Sequence, residues 1–131
     1  MPANRLGVAG ALMRMACAGG GSDTVPAIVR EQIADVRDAV TPDGLQLDAV
    51  AGPTRNKDAI SASWTFAPKE PWPAYQAWLS PRLGARGYHR SRCDDQGCVF
   101  SQELPGDFLS VAVQASGRPI QIRVTFTACA D

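Results

Sequence analysis

The chain has 131 residues, 45% of them hydrophobic and 20% charged, which fits one globular domain and excludes wholesale disorder. Thirteen basic residues balance thirteen acidic ones. A nucleic-acid binder needs a basic excess to neutralise phosphates, so nucleic acid is not an expected partner.

Residues 1–22 differ in composition from the rest and read as a leader and tether. Arg5 gives a short positive start. Leu6 to Met13 is an apolar run of signal-peptide length, too short to span a bilayer, and small residues follow. Two processing routes fit. In one, Cys17 follows Ala16 and precedes the flexible stretch Ala18–Ser22; this stretch resembles bacterial lipoprotein signals, in which the cysteine carries the lipid. Arg14, three places upstream, departs from the apolar residue usual there. In the other, Ala16-Cys17-Ala18 is an A-x-A cleavage site and a soluble protein begins at Gly19. A cytosolic tail rich in Ala, Gly and Met is the bland alternative. The expectation is export with a lipid anchor at Cys17. Loss of the first sixteen residues removes Arg5 and Arg14, leaving eleven basic against thirteen acidic residues and a net charge of −2.

A single domain is expected over residues 23–131. From Asp23 to Val40, Val25, Ile28, Val29, Ile33, Val36 and Val40 recur at three- and four-residue steps and share one helical face. Asp23 is placed to cap, Pro26 falls in the first turn, and Thr41-Pro42-Asp43-Gly44 stops the helix. Leu45 and Leu47 then suggest a short strand, Gly52–Asp58 a polar hairpin loop, and Ile60, Ala62, Trp64 and Phe66 a half-buried strand. A second helix opens at Pro71 with Trp72, Tyr75, Leu79 and Leu83 on one stripe and Trp78 on its flank. Pro81 kinks or divides it, and Gly84 and Gly87 end it.

Four strands complete the chain: Tyr88–Asp94, Cys98–Leu104, Phe108–Ala115 and Pro119–Ala128. Their short connections require antiparallel neighbours. The expected fold is therefore α+β: an antiparallel sheet of five to six strands, its last four a meander, with two helices on one face and water on the other.

Cys93 and Cys98 bracket the turn-forming Asp94-Asp95-Gln96-Gly97, and opposite positions in such a hairpin suit a disulfide. Export favours the same pairing. Zinc is the alternative, but a lone pair without a second Cys/His pair makes a poor site, and no metal is expected. Cys129 is left over, buried, free or paired between chains.

Catalytic constellations are sparse. His89 is the only histidine. In a meander it lies at the same end of the sheet as Cys129 but about 14 Å away, three strand spacings, beyond the reach a nucleophile and its base require. Gly19-Gly20-Gly21 does not follow a strand, so no phosphate-cradling loop and no cofactor are expected. Thirteen acids allow a carboxylate pair in any fold, yet no spacing singles one out; Asp94-Asp95 reads as turn chemistry.

Two places combine an aromatic with polar anchors. Tyr88, Arg90 and Arg92 alternate along one strand and are expected to face solvent together, close to Arg82, Arg86 and His89; a merely solvated, partly neutralised face is the alternative. Trp78 lies about a quarter turn off the core stripe, where it either serves as a contact residue or packs at the rim. The expected function is that of a non-catalytic envelope protein binding another protein, as an inhibitor, immunity-like or assembly factor, with membrane contact through the lipid alone. A small cell-wall hydrolase using carboxylates and a purely structural envelope lipoprotein are the competing expectations.

Overall fold

The structure is a computed structural model that describes residues 25–56, 59–104 and 107–128. Asp23, Cys17 and Cys129 lie outside the described residues. Helix α1 spans Ala27–Val40, with Pro26 as its N-cap in extended conformation. Its buried residues are Val29, Ile33, Val36, Ala39 and Val40, the face expected from the three- and four-residue spacing. Thr41 closes it by donating its N–H to the Arg37 carbonyl.

Six strands follow in one antiparallel sheet: β1 (Ala49–Asn56), β2 (Ala59–Phe66), β3 (His89–Asp94), β4 (Gly97–Leu104), β5 (Asp107–Ser116) and β6 (Gln121–Ala128). Helix α2 (Trp72–Gly84) lies between β2 and β3 in sequence. The order across the sheet is β1-β2-β6-β5-β4-β3. The last four strands form the expected meander, and the β1–β2 hairpin joins it by pairing β2 with β6.

The alternation of apolar residues decides which face is covered. Ile60, Ala62, Trp64 and Phe66 on β2, Leu109, Val111 and Val113 on β5, and Ile122, Val124, Phe126 and Ala128 on β6 all point to one side and are buried. Both helices lie there, α1 against β6 and α2 against β3, and they touch each other. Each large side chain buried in this layer contributes about 1.5–3 kcal/mol by removal from water. Among the described residues, no helix is long and apolar enough to cross a membrane.

One expectation fails locally. The polar loop expected over Gly52–Asp58 is mostly strand: β1 runs to Asn56, and Leu45 and Leu47 precede it, packed half-buried against the core. The Gly-Pro pair is tolerated because β1 is an edge strand and its register shifts between Ala51 and Thr54. At that bulge Gly52 has φ +83°, and a Cβ there would lie 2.7 Å from the Ser61 carbonyl oxygen. Only glycine fits so close an approach with that backbone.

Candidate binding surfaces

The Tyr88–Arg90–Arg92 face does not assemble. Helix α2 ends in a nested pair of hydrogen bonds, Tyr88 N–H to the Leu83 carbonyl and Gly87 N–H to the Gly84 carbonyl, with Gly87 at φ +91°. This C-terminal motif folds the residue after the left-handed glycine back onto the helix. Tyr88 is accordingly 5% exposed and belongs to the core, not to the strand that follows. Its phenol is pushed well above the ordinary value by burial and, secondarily, by the Asp35 carboxylate. The two arginines are separated by a bulge: Arg90 opposes Phe100, and Arg92 opposes Val99. Phe100 is buried under the helices and Val99 stands on the other face. The extra residue in β3 therefore sends Arg90 and Arg92, both exposed, to opposite sides of the sheet.

Arg82 and Arg86 are occupied in joining the helices. Arg82 donates from Nε to the Ala39 carbonyl at 2.8 Å and from Nη2 to the Asp38 carbonyl at 3.3 Å, satisfying the last turn of α1. Arg86 pairs with Asp35 at 3.1 Å. Trp78 is half-buried, between the Tyr75 ring at 5.7 Å and the Arg82 guanidinium at 4.5 Å. Tyr75, ringed by Trp72, Phe66 and Trp78, donates its hydroxyl to the Val40 carbonyl and so fixes α2 to the end of α1.

The β3–β4 hairpin places Cys93 directly opposite Cys98, with Cα atoms 4.0 Å apart and the sulfurs paired as a disulfide. The turn itself holds two residues, not four, between the strand ends. Asp94 accepts from the N–H groups of Gln96 and Gly97 at 2.8 and 3.1 Å, the turn chemistry expected of it. Its carbonyl accepts from the Trp72 indole at 3.0 Å, so α2 holds the hairpin from behind. His89 is exposed on the β3 edge, with β4 and β5 between it and β6. Among the described residues, no cluster of three or more His, Cys, Asp or Glu side chains is placed to hold a metal.

The uncovered face of the sheet is unusual in its chemistry. Read across the register, Thr54, Ser61, Thr127, Ser110 and Ser101 are successive neighbours on β1, β2, β6, β5 and β4. The Ser91 hydroxyl, 3.0 Å from that of Ser101, extends the row to β3. The adjacent row is Ala51, Ser63, Thr125, Ala112 and Val99, again short side chains, and Arg92, opposite Val99, continues it onto β3. The next holds Thr65, Arg123 and Gln114. Arg123 is exposed and has neither a hydrogen bond nor an ion pair among the described residues. On one side of it Thr65, Gln96, Gln114, Ser116 and Gln121 frame a hollow of about 630 Å³. On the other a smaller hollow of about 180 Å³ is lined by Thr54, Ser61, Ser63 and Thr125.

The sequence marks Pro119–Ala128 as a strand but does not mark Arg123 as a central group. Its position depends on β6 lying between β2 and β5, which the spacing of one strand does not encode. Comparison with family models, with curated proteins and with solved structures finds no match.

Proposed function

We propose that the chain is a small, exported, lipid-anchored and non-catalytic domain that binds another protein of the envelope, as an inhibitor, an immunity-like protein or an assembly factor does. The open sheet face carries this reading. From β1 to β4 two of its rows consist of Ser, Thr, Ala and Val, side chains that lose little rotamer freedom when covered. Long Lys and Glu side chains, which would oppose docking through their ordering entropy, are missing from those rows. The six strands span about 24 Å at about 4.8 Å per spacing, a width that suits a protein surface. The leader, with Arg5, the apolar run and Cys17, supports placement in the envelope.

The test is site-specific photo-crosslinking in the cells that make the protein. A crosslinking residue at Ser63 or Thr125, on the open face, should give one discrete adduct of the same mass from both positions. The same residue at Ala77, exposed on α2, should not. Adducts from Ala77 alone, or no discrete adduct from either sheet position, would overturn the reading. Trp78 on the helix flank and Arg90 on the helix side of β3 are the competing contact residues, whereas Arg92 stands on the open face. Trp78→Ala and Arg90→Ala should leave the Ser63 adduct intact.

A further inference from the structure

We propose that the larger hollow beside Arg123 is a carboxylate-binding site that receives an acidic side chain of the protein docked on this face. The inference rests on the reading of the open face as a protein-docking surface and names the anchor within it. A guanidinium offers five N–H donors in a planar fork and no acceptor. Those of Arg123 meet no acceptor among the described residues, although the group stands in the middle strands with Thr65 directly opposite on β2 and Gln114 directly opposite on β5. The surroundings are built from neutral hydrogen-bonding groups, the amides of Gln96, Gln114 and Gln121 and the hydroxyls of Thr65 and Ser116.

Asp48 is bonded to a residue of the hollow's lining but not to Arg123: it accepts from Gln121 Nε2 at 2.9 Å and forms no ion pair with the guanidinium. The Gln96 wall is fixed by the backbone, because the Gln96 carbonyl accepts from Ala115 N–H at 2.8 Å and holds the hairpin turn against β5. One uncompensated cation among neutral donors matches a ligand group with one negative charge and two coplanar oxygens, which is a carboxylate. A phosphate dianion would call for a second cation, and the hollow's lining has none.

The experiment titrates the full, isotope-labelled chain with the peptide acetyl-Gly-Glu-Gly-amide and, separately, with its neutral counterpart acetyl-Gly-Gln-Gly-amide, followed by nuclear magnetic resonance. The acidic peptide should produce saturable shifts at the Arg123 Nε–H and at the side-chain amides of Gln96, Gln114 and Gln121, weakening as salt is added. The neutral peptide should bind about tenfold less tightly, as loss of a charge-assisted contact implies. Arg123→Gln should reduce affinity for the acidic peptide by the same factor at an unchanged melting temperature. Gln114→Glu, which places a carboxylate beside Arg123 within the protein itself, should abolish it and serves if Arg123→Gln folds poorly. Non-saturable shifts, shifts spread over Arg90, Arg92 and His89, or equal responses to the two peptides would overturn the site. Its failure is distinct from failure of the docking reading. Adducts from Ser63 that persist unchanged in Arg123→Gln would remove the carboxylate site alone, whereas saturable peptide binding without any adduct from the sheet would remove the protein partner alone.

Discussion

Tyr75 and Tyr88, the chain's only tyrosines, show how little a residue type says about its environment. Both are buried in the same core, but the Tyr75 hydroxyl is bonded to the Val40 carbonyl and the Tyr88 hydroxyl has no partner among the described residues. Removing an unsatisfied buried hydroxyl relieves its desolvation cost, so Tyr88→Phe should raise stability by about 1 kcal/mol in urea unfolding. Tyr75→Phe, which strands the Val40 carbonyl, should lower it by about the same amount. The two phenols also make a pH prediction. Burial raises both above the ordinary value of 10.0, so above pH 10 the unfolded chain releases protons that the native state retains. Their contribution to stability is complete below pH 10 and is lost progressively as pH rises further. Phenolate absorbance should therefore appear only together with the loss of near-ultraviolet circular dichroism; phenolate in a still-folded protein would contradict the burial. Tyr88 was legible as aromatic and strand-like but not as buried, because its fate is set by a hydrogen-bonded helix end whose only sequence trace is Gly87.

At the scale of elements, the β3–β4 hairpin is held three ways: by the Cys93–Cys98 pair, by the Asp94 turn, and by the Trp72 indole on the Asp94 carbonyl. Closing so short a loop contributes about 2 kcal/mol on the chain-entropy model, so Cys93→Ala should lower stability by about that amount. In the oxidised native protein both thiols should resist alkylation until reductant is added; immediate labelling of both would refute the bond. Strong periodicity made the covered strands and both helices legible, since Trp64, Phe126 and Leu79 sit where a repeat of 2 or 3.6 residues places them. β1 was obscured because Gly52 and Pro53 are ordinarily loop residues, and only an edge strand with a bulge accommodates both. The Arg90–Arg92 error has the same origin. One extra residue in β3 reverses the face of everything beyond it, and a bulge leaves no mark in the alternation of polar residues.

At the scale of the whole molecule, the meander and the two-layer plan follow from short connections, whereas the pairing of β2 with β6 is a long-range event that gives the open face its centre. On the proposed reading, how that face is presented in a cell depends on residues 1–22. Val25, just ahead of α1, is already buried, and it lies eight residue steps beyond Cys17, with seven residues between them. Fully extended, eight such steps reach at most about 29 Å, and Gly19-Gly20-Gly21-Ser22 supplies a composition typical of flexible tethers. A lipid on Cys17 would keep the domain within that distance of the bilayer while leaving it free to turn its sheet toward a partner. If the lipid is there, Cys17→Ser removes it, and the protein should move from the membrane to the soluble fraction of the envelope with its melting temperature unchanged. Unchanged retention in the membrane fraction would refute the anchor, whereas a protein that is soluble with or without the change would support cleavage after Ala18. Fusion of residues 1–25 to a reporter active only outside the cytoplasm checks the step before it, since a reporter that stays silent would remove export and with it the envelope partner.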